Sequence, residues 1–300
     1  MRTHNLGYPR IGTRRELKKA CEKYWAGDIS LDELLQTGQQ IRSVNWKLQK
    51  DAGIDLIPTN DFSYYDQVLD TSLMVGNIPS RFLPLAQEAR KSFPSLYFAM
   101  ARGYQKNAMD ITALEMTKWF DTNYHYLVPE FYRNQEFSFV CTDVISEFIE
   151  AKQQGINAKP VLLGPVSYLL LGKEKESGFH RIELLEELLP VYKEVLNRLK
   201  KSGAEYVQFD EPCLALDQEN VMPLYYAEAY KYFKAECPEI KIILATYFGE
   251  VGENLHMLNA LPVDVLHVDL AKAPEQLTDV LYNNSSLNFS LTIMPQSLQS

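Results

Sequence analysis

Hydrophobic positions along the chain form short runs, separated by stretches in which apolar residues recur every three to four positions. Short runs bounded by Gly, Pro or polar residues are typical of buried strands, and the longer period is typical of helices with one apolar face. The runs predict eight strands, at residues 6–9, 54–58, 124–128, 160–164, 206–209, 242–247, 265–270 and 287–293.

Helical periodicity occupies the intervals between most of these runs. Ser30 and Glu33 have the spacing of a capping box, so we predict a helix that starts there and stops near Gly53. The apolar face predicted for this helix consists of Leu34, Ile41, Val44 and Leu48. Further helices are predicted at residues 14–25, 66–73, 142–154, 182–200, 225–235, 254–259 and 274–281, with a kink at Pro190 in the fourth of these.

Alternation of eight strands with helices predicts an α/β fold, a (β/α)8 TIM barrel, with a doubly wound sheet as the alternative. A long insert, residues 59–121, lies between strands 2 and 3. Residues 294–300 are too few and too polar for a helix, so we expect the last barrel helix to be missing and an apolar groove beside the eighth strand. Both architectures place function at the carboxyl ends of the strands.

The composition and charge of the chain limit the classes of function that it can have. The 300 residues carry a net charge of −9, which disfavours nucleic acid as a partner. The four cysteines, at positions 21, 141, 213 and 237, are far apart, so a zinc site within this chain is not expected, and unpaired thiols suit a cytoplasmic location. The longest apolar run, residues 160–172, is too short for a membrane helix, which needs ~20 residues.

A basic cluster opens the first predicted helix. Its cations are Arg10, Arg14, Arg15, Lys18 and Lys19. Cations at a helix start oppose the helix dipole, so helix stability does not explain them. They form either a solvated face or an anion site, which the exposed amides of the helix start would assist.

Carboxylates follow two later strands. Asp210 and Glu211 end the fifth strand, a good location for general acid–base chemistry, although neighbouring side chains on a strand tend to point to opposite faces. Asp264, His267 and Asp269 raise the same possibility on the seventh strand. The alternative for both groups is structural hydrogen bonding. We assign no catalytic residue.

Residues 115–130 combine four aromatic rings with Lys118, Asn123 and His125, which a plain core strand would not do. Chemistry alone leaves open an aromatic connection packed on a barrel rim. Two sequence motifs resemble signatures of the cobalamin-independent methionine synthases. They are Met-Thr-Lys-Trp-Phe-Asp-Thr-Asn-Tyr-His-Tyr at residues 116–126 and Leu-Gly-Tyr-Pro-Arg-Ile-Gly-Thr-Arg-Arg-Glu-Leu-Lys at residues 6–18. Further matches lie at residues 65–73, 160–171 and 208–212.

The resemblance runs from residue 6 to about residue 290 and covers the amino-terminal half of that family. It implies one barrel over residues 1–300 that helps bind 5-methyltetrahydropteroyltriglutamate, whose methyl group passes to homocysteine in methionine biosynthesis. The residues that the resemblance assigns to this folate are Arg15, Glu16, Leu17, Lys18, Lys118 and, more weakly, Asn123. In an acidic protein, a local basic patch attracts such an anion.

In the family, zinc in a second, carboxyl-terminal barrel activates homocysteine as a thiolate. We expect that barrel, with its zinc, to be absent from this chain, so that the fragment alone is inactive and needs the barrel as a partner. The alternative is a stand-alone module that binds or docks polyglutamyl folate without catalysis. A third alternative, with less support than these two, is an independent barrel hydrolase that uses Asp210 and Glu211. A frameshifted gene, a fragment and a short natural protein would look alike.

Overall fold

The computed structural model describes residues 2–88, 93–106, 108–217, 221–282 and 288–291. The chain divides into two compact units. Unit 1 consists of Met1–Glu130 with Glu136–Val161, and unit 2 consists of Phe131–Gln135 with Leu162–Ser300.

Unit 1 is rich in helices and contains short strands. Its elements in chain order are α1 (Glu16–Ala26), α2 (Leu31–Asp51), β1 (Ile57–Thr59), α3 (Gln67–Met74), α4 (Leu83–Glu88), α5 (Phe93–Arg102), β2 (Tyr104–Lys106), β3 (Met109–Ile111), β4 (Met116–Lys118), β5 (His125–Leu127) and α6 (Asp143–Gln153). Two strands, β6 (Glu130–Phe131) and β7 (Ala158–Leu163), have residues in both units. In unit 1, β1 pairs in parallel with the start of β7, Ile57 opposite Ala158.

Unit 2 alternates strands with helices. Its elements are α7 (Pro165–Leu170), β8 (Lys173–Glu174), α8 (Leu185–Lys201), β9 (Tyr206–Asp210), α9 (Met222–Glu236), β10 (Lys241–Ala245), α10 (Leu255–Ala260), β11 (Val265–Val268), α11 (Gln276–Tyr282) and β12 (Asn288–Leu291). The strands β9 to β12 are parallel and adjacent in chain order. A parallel sheet with intervening helices confirms the predicted α/β class.

Each unit has a hydrophobic core. In unit 1, Leu17 of α1, Leu69 of α3 and Leu127 of β5 belong to one buried cluster. In unit 2, the ring of Phe209 on β9 stacks on that of Phe233 on α9, with centroids 5.1 Å apart. Val207 and Leu244 are also fully buried, so each helix covers the strands through apolar contact.

Two predicted strands differ from the structure. Residues 6–9 form no strand; one parallel bridge joins His4 to Leu56 instead. Gly7 and Pro9 explain this, because Pro has no N–H for a ladder and Gly weakens a strand. The third predicted strand exists as β5, but it pairs antiparallel with β4 in a hairpin rather than with a parallel neighbour.

The prediction for α2 agrees with the structure more closely than the predictions for these two strands do. The capping box of Ser30 and Glu33 is present, and α2 stops at Asp51, two residues before Gly53. The predicted burial of Val44 and Leu48 was wrong, since they are 55% and 48% exposed. The buried face instead contains Leu34, Gly38, Ile41, Trp46 and Gln49. Two of these, a glycine and a glutamine, carry no hydrophobic signal.

From α8 to β12 the described elements agree with the prediction in type and order, whereas α7 and β8 were not predicted. The helix α8 continues through Pro190 to Lys201. The eighth strand is present as β12. Residues 294–300, on which the expectation of a missing last helix rests, lie outside the described residues.

Candidate functional site

The basic cluster surrounds a tight turn at the start of α1. Arg15 adopts the left-handed conformation with φ 61°, and its N–H donates to the Gly12 carbonyl at 3.1 Å. The Glu16 carboxylate turns back and accepts a hydrogen bond from the Arg14 N–H at 2.9 Å. Backbone hydrogen bonds to this carboxylate lower the pKa of Glu16. Leu17 donates its N–H to the Ile11 carbonyl.

These hydrogen bonds correct the expectation that exposed amides at the start of α1 would assist an anion site. The amides of Arg14, Arg15 and Leu17 already have acceptors in the chain, so they are not exposed donors for an anion. Leu17 is buried in the core of unit 1, and Glu16 serves the turn. Attraction for an anion at this end of α1 therefore comes from the cationic side chains.

The cations of the cluster separate into two kinds. Arg15 and Lys18 are exposed, and Lys18 makes a long ion pair with Glu22, at 3.8 Å. Arg10 instead turns inward, and its Nη2 donates to the Tyr65 carbonyl at 2.6 Å. Arg15 and Lys18 are thus available to a ligand, whereas Arg10 holds the loop that leads into the turn.

Lys118 lies in the β4–β5 hairpin. It is exposed and stands opposite His125, and the Trp119 N–H closes the turn by donating to the Tyr124 carbonyl at 2.8 Å. Trp119 is buried, with its ring edge-on to Tyr126 at 5.6 Å. The buried ring anchors the hairpin in unit 1 and leaves the Lys118 ammonium facing solvent.

Asn123 is exposed in the turn of the same hairpin. The structure therefore brings Lys118 and Asn123 into one hairpin, and Arg15, Glu16, Leu17 and Lys18 into one helix start. Among the described residues, no hydrogen bond or ion pair joins the two groups directly.

A buried polar cluster beside these segments was missed. The Asp66 carboxylate caps α3 and also accepts a hydrogen bond from the Leu127 N–H of β5, at 3.1 Å. Burial raises the pKa of Asp66 to about 6, against the opposing effect of its backbone hydrogen bonds and the charge of Arg10. Burial likewise raises the pKa of Asp70 to about 7, and Tyr97 hydrogen-bonds this second carboxyl. The sequence signal was an Asp directly before a helical pattern, which indicates a cap and nothing more.

Asp210 and Glu211 accept hydrogen bonds from different groups. Asp210 accepts hydrogen bonds from the Gln208 amide at 2.7 Å and the Tyr247 hydroxyl at 3.1 Å. Glu211 has a different set of partners, the Ser167 N–H at 2.8 Å and the Tyr230 hydroxyl at 3.0 Å. Asp210 is the last residue of β9 and Glu211 lies just beyond the strand, and the two carboxylates accept from different donors.

The seventh-strand group also has structural roles. Asp264 accepts from the Ile242 N–H at 2.9 Å, and Asp269 accepts from the N–H groups of Phe248, Ala271 and Lys272. His267 is buried. The hydrogen bonds of Asp264 and Asp269 to backbone N–H groups agree with the structural alternative for these two residues.

The chain's metal-ligand side chains are dispersed. In the described ranges, no three His, Cys, Asp or Glu side chains are grouped to hold a metal ion. Burial raises the pKa of the Cys21 thiol to about 11 and that of Cys213 to about 12, which keeps both protonated and poor as ligands. Separately, none of the helices within the described part of the chain is long and apolar enough to cross a membrane.

Comparison with known proteins gives one family. Residues 2–291 match the family model described as cobalamin-independent synthase, N-terminal domain. The 5-methyltetrahydropteroyltriglutamate–homocysteine methyltransferase of Flavobacterium johnsoniae is 56% identical over 297 residues, which cover 98% of this chain and 38% of that protein. The Saccharomyces cerevisiae protein of the same name is 50% identical over 284 residues, covering 92% and 36%.

Solved structures agree on the fold. A B12-independent methionine synthase from a Shewanella species superposes with a TM-score of 0.62 at 14% identity, covering 88% of this chain and 72% of that one. At so low an identity the likeness concerns the fold alone. This chain spans between 36% and 38% of the length of the two curated relatives above.

Proposed function

We propose that this chain, which belongs to the cobalamin-independent synthase family through its N-terminal domain, supplies the folate-side half of a cobalamin-independent methionine synthase. Its role is to help bind 5-methyltetrahydropteroyltriglutamate for methyl transfer to homocysteine. The family match over residues 2–291 carries the proposal, because a relative at 56% identity is named for that substrate. The corresponding architecture is the family's (β/α)8 barrel, supported by the parallel β/α alternation of unit 2.

The folate tail is the part of the substrate that suits the exposed cations. Three glutamates give the tail several carboxylates, and Arg15, Lys18 and Lys118 are exposed cations in a chain of net charge −9. Local positive charge in an acidic protein directs an anion to one place on the surface. We assign Arg15, Lys18 and Lys118 to tail carboxylates, with Asn123 as an additional hydrogen-bond donor. Glu16 and Leu17 shape the turn.

Methyl transfer itself belongs to the remainder of the enzyme in this proposal. The dispersed cysteines and histidines of this chain do not fit a zinc site, so zinc and the homocysteine thiolate are assigned to a carboxyl-terminal barrel. That barrel is the proposed partner of this chain.

The test is a titration of mono- and triglutamate forms of 5-methyltetrahydrofolate at low and high salt. We expect tighter binding of the triglutamate and weaker binding in high salt, because salt screens exposed charges. Lys18→Ala and Lys118→Ala should each weaken triglutamate binding about two- to fivefold, the scale of one exposed ion pair.

Lys47→Ala is the matched control. Lys47, like Lys18, is an exposed helix lysine with an i,i+4 acidic partner, here Asp51 at 2.9 Å. This variant should bind both folates as the wild type does. Equal affinities for the two folates, unaffected by Lys18→Ala and Lys118→Ala, would exclude the tail assignment.

A further inference from the structure

We propose that Asp66 is a positioning residue for the folate tail, which holds the start of α1 and the β4–β5 hairpin in a defined relation to each other. The inference rests on the proposed function and adds a residue that contacts no substrate. All the contacts that carry it lie within unit 1.

The first contact ties the loop before α1 to the residue preceding Asp66. Arg10 Nη2 donates to the Tyr65 carbonyl at 2.6 Å, and the Tyr8 N–H donates to the Asp61 carboxylate at 2.8 Å. Arg10 is five residues before Arg15, and only a tight turn separates them. Movement of residues 61–66 therefore moves the start of α1.

The second contact ties Asp66 to the hairpin. Asp66 Oδ1 accepts from the N–H groups of Val68 and Leu69 at 2.8 and 2.9 Å, which is the ordinary cap of a helix. Its Oδ2 accepts from the Leu127 N–H at 3.1 Å, on a strand 61 residues further along the chain. Leu127 stands opposite Met116, two residues from Lys118.

The carboxylate of Asp66 offers more acceptors than a helix cap alone requires. A cap requires one acceptor oxygen, which a serine provides for α2 at Ser30. Asp66 is 3% exposed, and burying an ionised carboxylate is costly unless its oxygens have several donors. The cap uses Oδ1 and the Leu127 N–H uses Oδ2, and a carboxylate supplies two acceptor oxygens where serine or asparagine supplies one.

Tyr97 supports the same junction from α5. The Tyr65 N–H donates to Tyr97 Oη at 2.8 Å, so both backbone polar groups of Tyr65 have partners. Charges facing Asp66 come from Arg10 in the loop and from Asp70 on α3. Three segments thus meet at residues 65 and 66, and two of them carry the cations assigned to the tail.

The test compares Asp66→Asn with the wild type by hydrogen exchange and by folate titration. Asparagine keeps the shape and one acceptor for the cap but loses the second acceptor. We expect hydrogen exchange of the hairpin, residues 116–127, to quicken about tenfold, the scale for loss of a buried hydrogen bond. The preference for triglutamate over monoglutamate folate should fall about threefold, since the two cationic segments no longer share one geometry.

Ser30→Ala is the control, because it removes a helix cap in the same unit without touching the hairpin. It should leave both the exchange of residues 116–127 and the glutamate preference unchanged. General destabilisation by Asp66→Asn would weaken both folates equally, whereas loss of positioning lowers the preference between them.

The outcomes separate the two proposals. A wild type without preference for the triglutamate overturns the proposed function, and the positioning role with it. A wild-type preference that Asp66→Asn retains overturns the positioning role alone. Unchanged exchange of residues 116–127 in Asp66→Asn also overturns it, since the Leu127 contact would then hold nothing in place.

Discussion

Buried carboxylates are the most constrained residues of the molecule. Glu211 is fully buried, and its oxygens accept hydrogen bonds from the Ser167 N–H and the Tyr230 hydroxyl. A Cβ on Gly164 would lie 2.1 Å from the Glu211 carboxyl, so only glycine fits beside it. Burial raises the pKa of Glu211 from 4.5 to about 7. The folded state therefore holds this proton more tightly than the unfolded chain does.

Glu211→Gln should remove one component of the pH dependence of stability. Because the folded pKa is the higher one, the contribution of Glu211 is complete below pH 4.5 and is lost as the pH rises through about 7. The loss is on the order of 3 kcal/mol, at about 1.4 kcal/mol per pKa unit. The free energy of unfolding of Glu211→Gln, relative to wild type, should improve by that amount between pH 4.5 and pH 8.

Urea unfolding across this pH range measures the effect. Glu194→Gln, which removes a surface carboxylate of unit 2, should follow the wild-type pH profile. A constant difference between Glu211→Gln and wild type at every pH would contradict a buried, protonated Glu211.

Among the individual residues, the roles of some cations could be predicted from the sequence and those of others could not. The basic cluster that contains Lys18 could be read from the chain, whereas the assignment of Lys18 and Lys118 to the folate came from the family resemblance. Arg10 looked like one more cation of that cluster. Its inward turn depends on the Tyr65 carbonyl, 55 residues away, which no local pattern reveals.

Among the elements, α2 shows why a helix can require a glycine. Gly38 lies on its buried face, and a Cβ there would come within 2.2 Å of the Tyr64 hydroxyl oxygen. The same hydroxyl donates to the Leu35 carbonyl at 3.3 Å. The Tyr64 ring thus occupies the space that a side chain at position 38 would fill.

Gly38→Ala should therefore destabilise the protein by about 1–3 kcal/mol, the usual effect of overpacking. At an exposed helix site the same change would stabilise by about 1 kcal/mol. The double variant Gly38→Ala/Tyr64→Phe should recover part of the loss, because the hydroxyl oxygen is the nearest atom.

Chemical unfolding of the single and double variants forms a thermodynamic cycle. Gln39→Ala, at the adjacent exposed position, serves as the control and should change stability by less than ~0.5 kcal/mol. A Gly38→Ala protein as stable as the wild type would contradict this prediction, since moving the ring would then cost only the ~1 kcal/mol that alanine contributes to the helix.

The type of most helices and strands could be predicted from the sequence, whereas the pairing of the strands could not. Periodicity located eight of the helices in the described residues, whereas α4, α5 and α7 were not predicted. The capping box of α2 could be identified from two residues. The third strand was located as well, but its partner β4 is exposed along its length and gives no strand signal. An antiparallel partner of that kind is identified only in three dimensions.

At the scale of the whole molecule, the chain corresponds to one part of a larger family protein. We expect the isolated chain to form no methionine from homocysteine and 5-methyltetrahydropteroyltriglutamate, and to retain no stoichiometric zinc after mild chelation. The reason is the dispersion of its cysteines and histidines. Methionine assay and metal analysis of the purified chain measure both.

A full-length relative provides the positive control for the methionine assay. Methionine above a no-protein control, or about one zinc per chain that survives chelation, would contradict the assignment of chemistry to a separate barrel. Activity that returns on adding a separately produced carboxyl-terminal barrel would support it.

The contacts at Tyr65 and Asp66 also bear on the timing of folding. They join residues 55 and 61 positions apart, and such long-range closures are slow to form because chain entropy opposes them. During synthesis, the turn at Arg15 emerges long before Leu127 does. Its cations therefore acquire their final arrangement only after Leu127 has left the ribosome, and a shorter nascent chain would carry the charges without the contacts that hold them in place.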